Sequence, residues 1–192
     1  MAFAADRHRR TEAGRWRDWS AAAARPEIGH ALWELYRRLD EAIAARGPTC
    51  WASGKCCSFD DYGHRLYVTG LEIAWFLRGV SSEASSSTGR SDRSVEGEDL
   101  PGGGLRLPQI AERSGACPYQ VGGRCSTHRI RPLGCRVFFC QAGTEAWQQD
   151  LYEAYLKELI GLHERHGLEY QYMDWIAGLD AAAQGLSSPS TG

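Results

Sequence analysis

The sequence predicts a mainly α fold of the small α+β kind, with helices flanking a Cys-rich irregular or hairpin core. Three observations predict it. Long stretches carry apolar residues at three- and four-residue spacing, the cysteines fall into two Gly-bearing segments, and Gly122-Gly123 sits midway between two of those cysteines. A chain of 192 residues is one domain long, and 43% hydrophobic residues suffice to bury a core.

Residues 1–24 hold five Arg, His8, two Trp and an Ala run with little periodicity, and read as a flexible basic leader. From Pro26 the pattern is helical. Ile28, Leu32, Leu35, Tyr36, Leu39 and Ile43 recur on one face, Pro26 suits a first turn, and Gly47-Pro48 is a stop. The first cysteine segment, Cys50-Trp51-Ala52-Ser53-Gly54-Lys55-Cys56-Cys57, follows, its glycine allowing the tight turn that converging thiolates need. Arg65 to Val68 predicts a short strand, and Thr69-Gly70-Leu71-Glu72 a capping box opening a helix that ends at Gly79.

Residues 81–104 contain seven Ser and five Gly, with apolar side chains too sparse to offset ordering entropy, and are expected to be a disordered insertion. It interrupts a single domain over residues 25–184 rather than dividing it. The second cysteine segment runs from Cys117 to Cys140, where Gly122-Gly123 predicts a hairpin and Pro132 and Gly134 break any long helix. Trp147, Leu151, Tyr155, Leu159 and His163 mark one face of a helix that lasts until Gly167. A shorter helix is expected over about residues 173–183, with 185–192 a loose tail.

Composition excludes several functions. Lys plus Arg is 22 against 24 Asp plus Glu, a net of -2, so the chain has no polyelectrolyte character and no nucleic-acid partner is expected. No apolar run approaches the roughly 20 residues of a membrane span, and the basic start lacks an apolar stretch of the secretory kind. A cytoplasmic, reducing setting without membrane partners is therefore expected. There, seven cysteines imply metal or redox chemistry rather than disulfides. Glycine-rich nucleotide loops and a nucleophile elbow are missing from the sequence, so hydride or phosphoryl transfer has no support.

Thiolates are soft anionic ligands suited to Zn or to the irons of an iron–sulfur cluster. Five residues separate Cys50 from Cys56, and seven, nine and four separate successive cysteines from Cys117 on, so the spacing selects neither metal. Cys50, Cys56, Cys57, Cys117, Cys125, Cys135 and Cys140 are the candidate ligands, with His128 an eighth donor. A lone buried cysteine is usually a small hydrophobe, but seven in two short segments argue for a common inorganic centre. Arg131 and Arg136 lie among them and are the candidate cofactor-binding cations, since several thiolates around one centre leave negative charge to offset. No catalytic residue can be assigned from the pattern.

These residues resemble a known family. Cys50 to Cys57, Cys117-Pro118-Tyr119, Arg124-Cys125-Ser126-Thr127-His128, Arg131-Pro132 and Cys135-Arg136 together resemble the YkgJ-type cysteine-cluster proteins, the zinc- or iron-chelating CxxCxxCC domain. The resemblance covers residues 47–142 apart from the Ser/Gly-rich insertion. It departs at Ser53, which stands where the family usually has a cysteine, so seven thiols replace eight. It implies a bound zinc or iron–sulfur centre, and a flagellin lysine methylase with a similar cysteine motif is associated with a four-iron (4Fe-4S) cluster.

The leading expectation is thus a metal-binding protein whose thiolates hold an iron–sulfur cluster or zinc. One alternative is a cluster-dependent oxidoreductase or group-transfer enzyme, for which Cys56-Cys57 beside Lys55 is the most reactive candidate. Another is a metal chaperone or sensor.

Overall fold

The computed structural model describes residues 11–50, 54–87 and 115–187, and these are mainly helical with two small antiparallel sheets. The first helix corrects the expectation of a flexible leader. Helix α1 (Glu12–Ala24) is capped by Thr11, whose hydroxyl accepts the Gly14 N–H, and it packs against α4 (Gly70–Ser87) and α7 (Trp175–Ser187). Trp16 and Trp19, each 1% exposed, meet edge to face at 4.9 Å, and Ala22 and Ala23 are buried below them. Two tryptophans three residues apart, followed by two alanines on the same face, bury more apolar surface than the flanking arginines can keep in water. Residues 1–10 of that leader lie outside the described residues.

Helix α2 (Pro26–Ala44) starts with its proline at the first turn and buries all six residues of the expected apolar face. A 3-10 turn at Lys55–Cys57 and the four-residue α3 (Phe59–Tyr62) follow. Strand β1 (Tyr67–Thr69) then leads directly into α4 through the expected capping box. The Thr69 hydroxyl accepts the Glu72 N–H at 3.2 Å, and Glu72 accepts the Thr69 N–H at 2.8 Å. Glu72 does more than cap. Its carboxylate, 2% exposed, also accepts the Tyr36 hydroxyl and the Leu133 N–H, both at 2.9 Å. One side chain thereby joins α2, α4 and the start of α5 (Leu133–Val137).

Two expected helix ends move. Helix α4 does not stop at Gly79 but continues to Ser87, so the first part of the expected disordered insertion is helical, and residues 88–104 of it lie outside the described residues. Gly79 is there for close packing: a Cβ on it would sit 3.1 Å from Ile130 Cδ1. Within the continued helix the Ser81 hydroxyl donates back to the Leu77 carbonyl at 3.0 Å. The last helix begins at Trp175 and runs to Ser187, which carries the expected loose tail into the helix up to that residue; Ala182 and Gly185 are buried and residues 188–192 lie outside the described residues.

Before that helix, β4 (Tyr172–Asp174) pairs antiparallel with β1 in the register Tyr67 to Asp174, Val68 to Met173 and Thr69 to Tyr172. The expected Gly-Gly hairpin joins β2 (Gln120–Val121) to β3 (Arg124–Cys125), both glycines having positive φ. Helix α6 (Glu145–Arg165) packs on α2 and α5, with Leu159, Leu162 and His163 fully buried. Within the described residues no helix is long and apolar enough to cross a membrane.

Candidate metal centre

The two cysteine segments meet through their backbones. The Cys117 N–H donates to the Cys57 carbonyl at 2.7 Å, and the Asp60 N–H donates to the Gly115 carbonyl at 2.9 Å. The Gln120 side chain adds a third tie, donating to the Gly54 carbonyl at 3.0 Å. Gly54 makes this approach possible: its φ is 72°, and a Cβ there would lie 2.1 Å from the Gly123 carbonyl oxygen. The expected tight turn between cysteines is thus also the point where the hairpin of the second segment presses on the first.

This junction encloses a cavity of about 320 Å³ lined by all seven cysteines, together with His128 and Arg131. Cys57 is central. Its sulfur lies 4.0 Å from that of Cys56. The neighbouring thiols of Cys117, Cys125 and Cys56, together with burial, push the Cys57 thiol strongly up. Cys125 is lowered to about 5, first by Cys57 and then by Thr127 and the charge of Arg131. Cys56 is lowered to about 7 by Cys57 and Arg131, and Cys117 is lowered by Cys57, the Tyr119 backbone and Trp175. Burial raises the Cys135 thiol. Sulfurs with lowered thiol pKa values make a soft donor set.

The seven sulfurs are not equivalent. Cys57 and Cys117 are buried, Cys56, Cys125 and Cys135 half-buried, and Cys50 and Cys140 exposed at the mouth. The Thr49 N–H donates to the Gln141 side chain at 2.9 Å, which ties the chain beside Cys50 to the chain beside Cys140. None of the seven is in a disulfide. Among the described residues, no three His, Cys, Asp or Glu side chains are arranged as they stand to hold one metal ion. Ser53, the departure from the motif, lies outside the described residues.

The two candidate arginines separate. Arg131 lines the cavity, and its charge acts on Cys56, Cys125 and Cys135. Arg136 is not among the lining residues. It is 4% exposed and spends its donors on the Arg131 and Arg129 carbonyls and on Asp40, while its guanidinium lies 4.5 Å over the Tyr36 ring. The structure therefore places it as the strut that fixes the turn bearing His128 and Arg131, with no direct reach to the thiols. The Lys55 ammonium lies 5.3 Å over the Tyr62 ring.

Two contacts to sulfur come from residues that motif reading passes over. The Trp175 indole N–H donates to Cys117 at 3.4 Å, and the Thr127 hydroxyl lies 3.6 Å from Cys125. Such outer contacts orient ligands and tune a metal centre. Thr127 was within sight, two positions after its cysteine. Trp175 carries no local signal, because its cysteine is 58 residues away.

No family model, curated protein or solved structure matches this chain.

Proposed function

We propose that the chain binds an iron–sulfur cluster through its cysteine thiolates in this cavity. The observation that carries the reading is that every cysteine of two distant segments lines one enclosure of about 320 Å³, with Arg131 also in its lining. The donor set fits such a group: soft sulfurs, several of them lowered toward the thiolate form, with N–H and O–H contacts at Cys117 and Cys125. The buried and half-buried sulfurs are the favoured ligands, and His128, at the edge, is a further donor. When bound, the cluster supplies electron transfer or an iron Lewis acid, while the protein supplies charge balance, hydrogen bonds to sulfur and exclusion of water. The resemblance of residues 47–142 to YkgJ-type proteins supports the same class, and cysteines without disulfides suit a reducing compartment such as the cytoplasm. Cluster-dependent oxidoreductase or group-transfer activity, or a carrier or sensor role, would be built on this same centre.

One distance favours a second reading. Sulfurs bound to one tetrahedral zinc lie ~3.8 Å apart for Zn–S bonds of about 2.3 Å, and Cys56 and Cys57 lie 4.0 Å apart. Anaerobic purification followed by elemental analysis and a visible spectrum decides between them. Iron and sulfide in similar amounts, with absorption near roughly 400 nm, is the expected result. Colourless protein with stoichiometric zinc selects the second reading. Protein that takes up neither metal sinks both.

A further inference from the structure

Beside the thiol cavity lies a second recess, of about 420 Å³, and Cys56, Cys135 and Phe138 line both. That size is in the range of small-molecule sites. Four of its other eleven lining residues carry rings, and Arg65, Glu145, Gln148 and Gln149 make the remainder partly polar. Tyr67 and Tyr172 stack across the β1–β4 pair at 5.5 Å with rings 23° apart, and the Tyr152 and Tyr172 hydroxyls are hydrogen-bonded to each other. In the same lining His64 stacks on Phe138 at 5.1 Å and 15°. The His64 ring is steadied by the Cys56 carbonyl, 3.4 Å from Nε2, and by the edge of Phe59.

Tyr67, Phe138 and Tyr172 are 44%, 42% and 40% exposed, and all three line this one recess. Leaving large aromatic faces in water around a single concavity is costly unless something covers them. The two stacked pairs present π faces and edges suited to offset or edge-to-face packing against another flat ring.

We propose that this recess binds a planar aromatic or heteroaromatic small molecule, whose ring packs among Tyr67, Tyr172, His64 and Phe138. The wall formed by Cys56 and Cys135 then separates the ring from the thiol cavity, which makes the recess the substrate or electron-partner site of the proposed centre. That last assignment rests on the metal-binding reading; the ring site itself does not.

The test titrates the purified full chain, with metal content measured on the same sample, against 2-naphthol and its saturated counterpart decahydro-2-naphthol by calorimetry. The two probes share size and hydroxyl but differ in flatness and π faces. The planar probe is expected to bind about tenfold tighter. Tyr67→Leu and Tyr172→Leu should each weaken it about threefold or more, while Trp33→Leu on the far face of α2 leaves it unchanged. Should Tyr172→Leu not fold, the exposed Tyr67→Leu carries the comparison. Equal affinity for the two probes, or planar-probe binding untouched by the tyrosine variants, overturns the proposal. Selective binding by protein that also takes up neither iron and sulfide nor zinc under anaerobic conditions upholds the ring site and removes the metal reading instead.

Discussion

The helical layer and the thiol cavity are held together by different physics. Around Trp16, Trp19, Leu32, Leu39, Phe76 and Leu77 the side chains are fully buried on long helices, and apolar burial stabilises them without help. Around the cysteines the elements are a three-residue turn, two two-residue strands and a five-residue helix, none able to persist alone. They are fixed at joints instead: the Cys57–Cys117 backbone bond, the Gln120 amide, the four donors on Glu72 and the three on Arg136. The lesson is a division of labour. The helical layer folds by burying hydrocarbon, while the cavity is positioned by that layer and offers its sulfurs without having to supply the stability.

The sharpest way to break this contrast is to damage each region separately. Trp19→Ala should cost about 3–5 kcal/mol and take the cavity down with the core, seen as a loss of both helical circular dichroism and metal. Cys117→Ser should do the reverse, keeping the helical spectrum of the metal-free protein while metal content falls; equal damage to the helical layer would show that the two regions are one unit.

Arg136→Met probes the joint between them. It removes buried hydrogen bonds and half of an ion pair whose other member, Asp40, is half exposed, so the expected loss is about 2 kcal/mol. Hydrogen exchange should quicken over residues 128–131 more than in α2. Uniform quickening would mean that Arg136 serves the core and not the turn.

The smallest effect concerns Glu72. Burial raises its carboxyl above the usual 4.5, outweighing the hydrogen bonds from Thr69, Leu133 and Tyr36 that lower it. A raised native pKa means that the folded state holds more protons than the unfolded state. This contribution is therefore fully present below about pH 4.5 and declines as pH rises through the native value. Chemical denaturation across pH 4–8 should show that decline in the wild type and a flatter profile in Glu72→Gln. Parallel profiles would assign the pH dependence to other groups.

Where a feature depended on neighbours in the chain, it could be read. The buried face of α2, the Thr69–Glu72 capping box and the Gly122-Gly123 hairpin each need only residues within a turn or two. Helix α1 was missed although Trp16, Trp19, Ala22 and Ala23 carry its period, because five arginines obscured a stripe only four residues long. Gly79 read as a stop because its packing partner, Ile130, lies on the other side of the Ser/Gly-rich segment. Arg136 passed for a cofactor-binding cation because sequence distance to cysteines does not say where a long side chain spends its donors.

Local periodicity and capping chemistry alone determined the mainly helical class. Only the tertiary structure decided that all seven sulfurs share one cavity, that Arg131 faces them while Arg136 braces the turn behind, and that an aromatic recess adjoins them. The physical reason is range. Backbone propensity and side-chain period act over a few residues, whereas the β1–β4 pairing, the Trp175–Cys117 bond and the Cys57–Cys117 bond join positions that come together only once the helical core has closed.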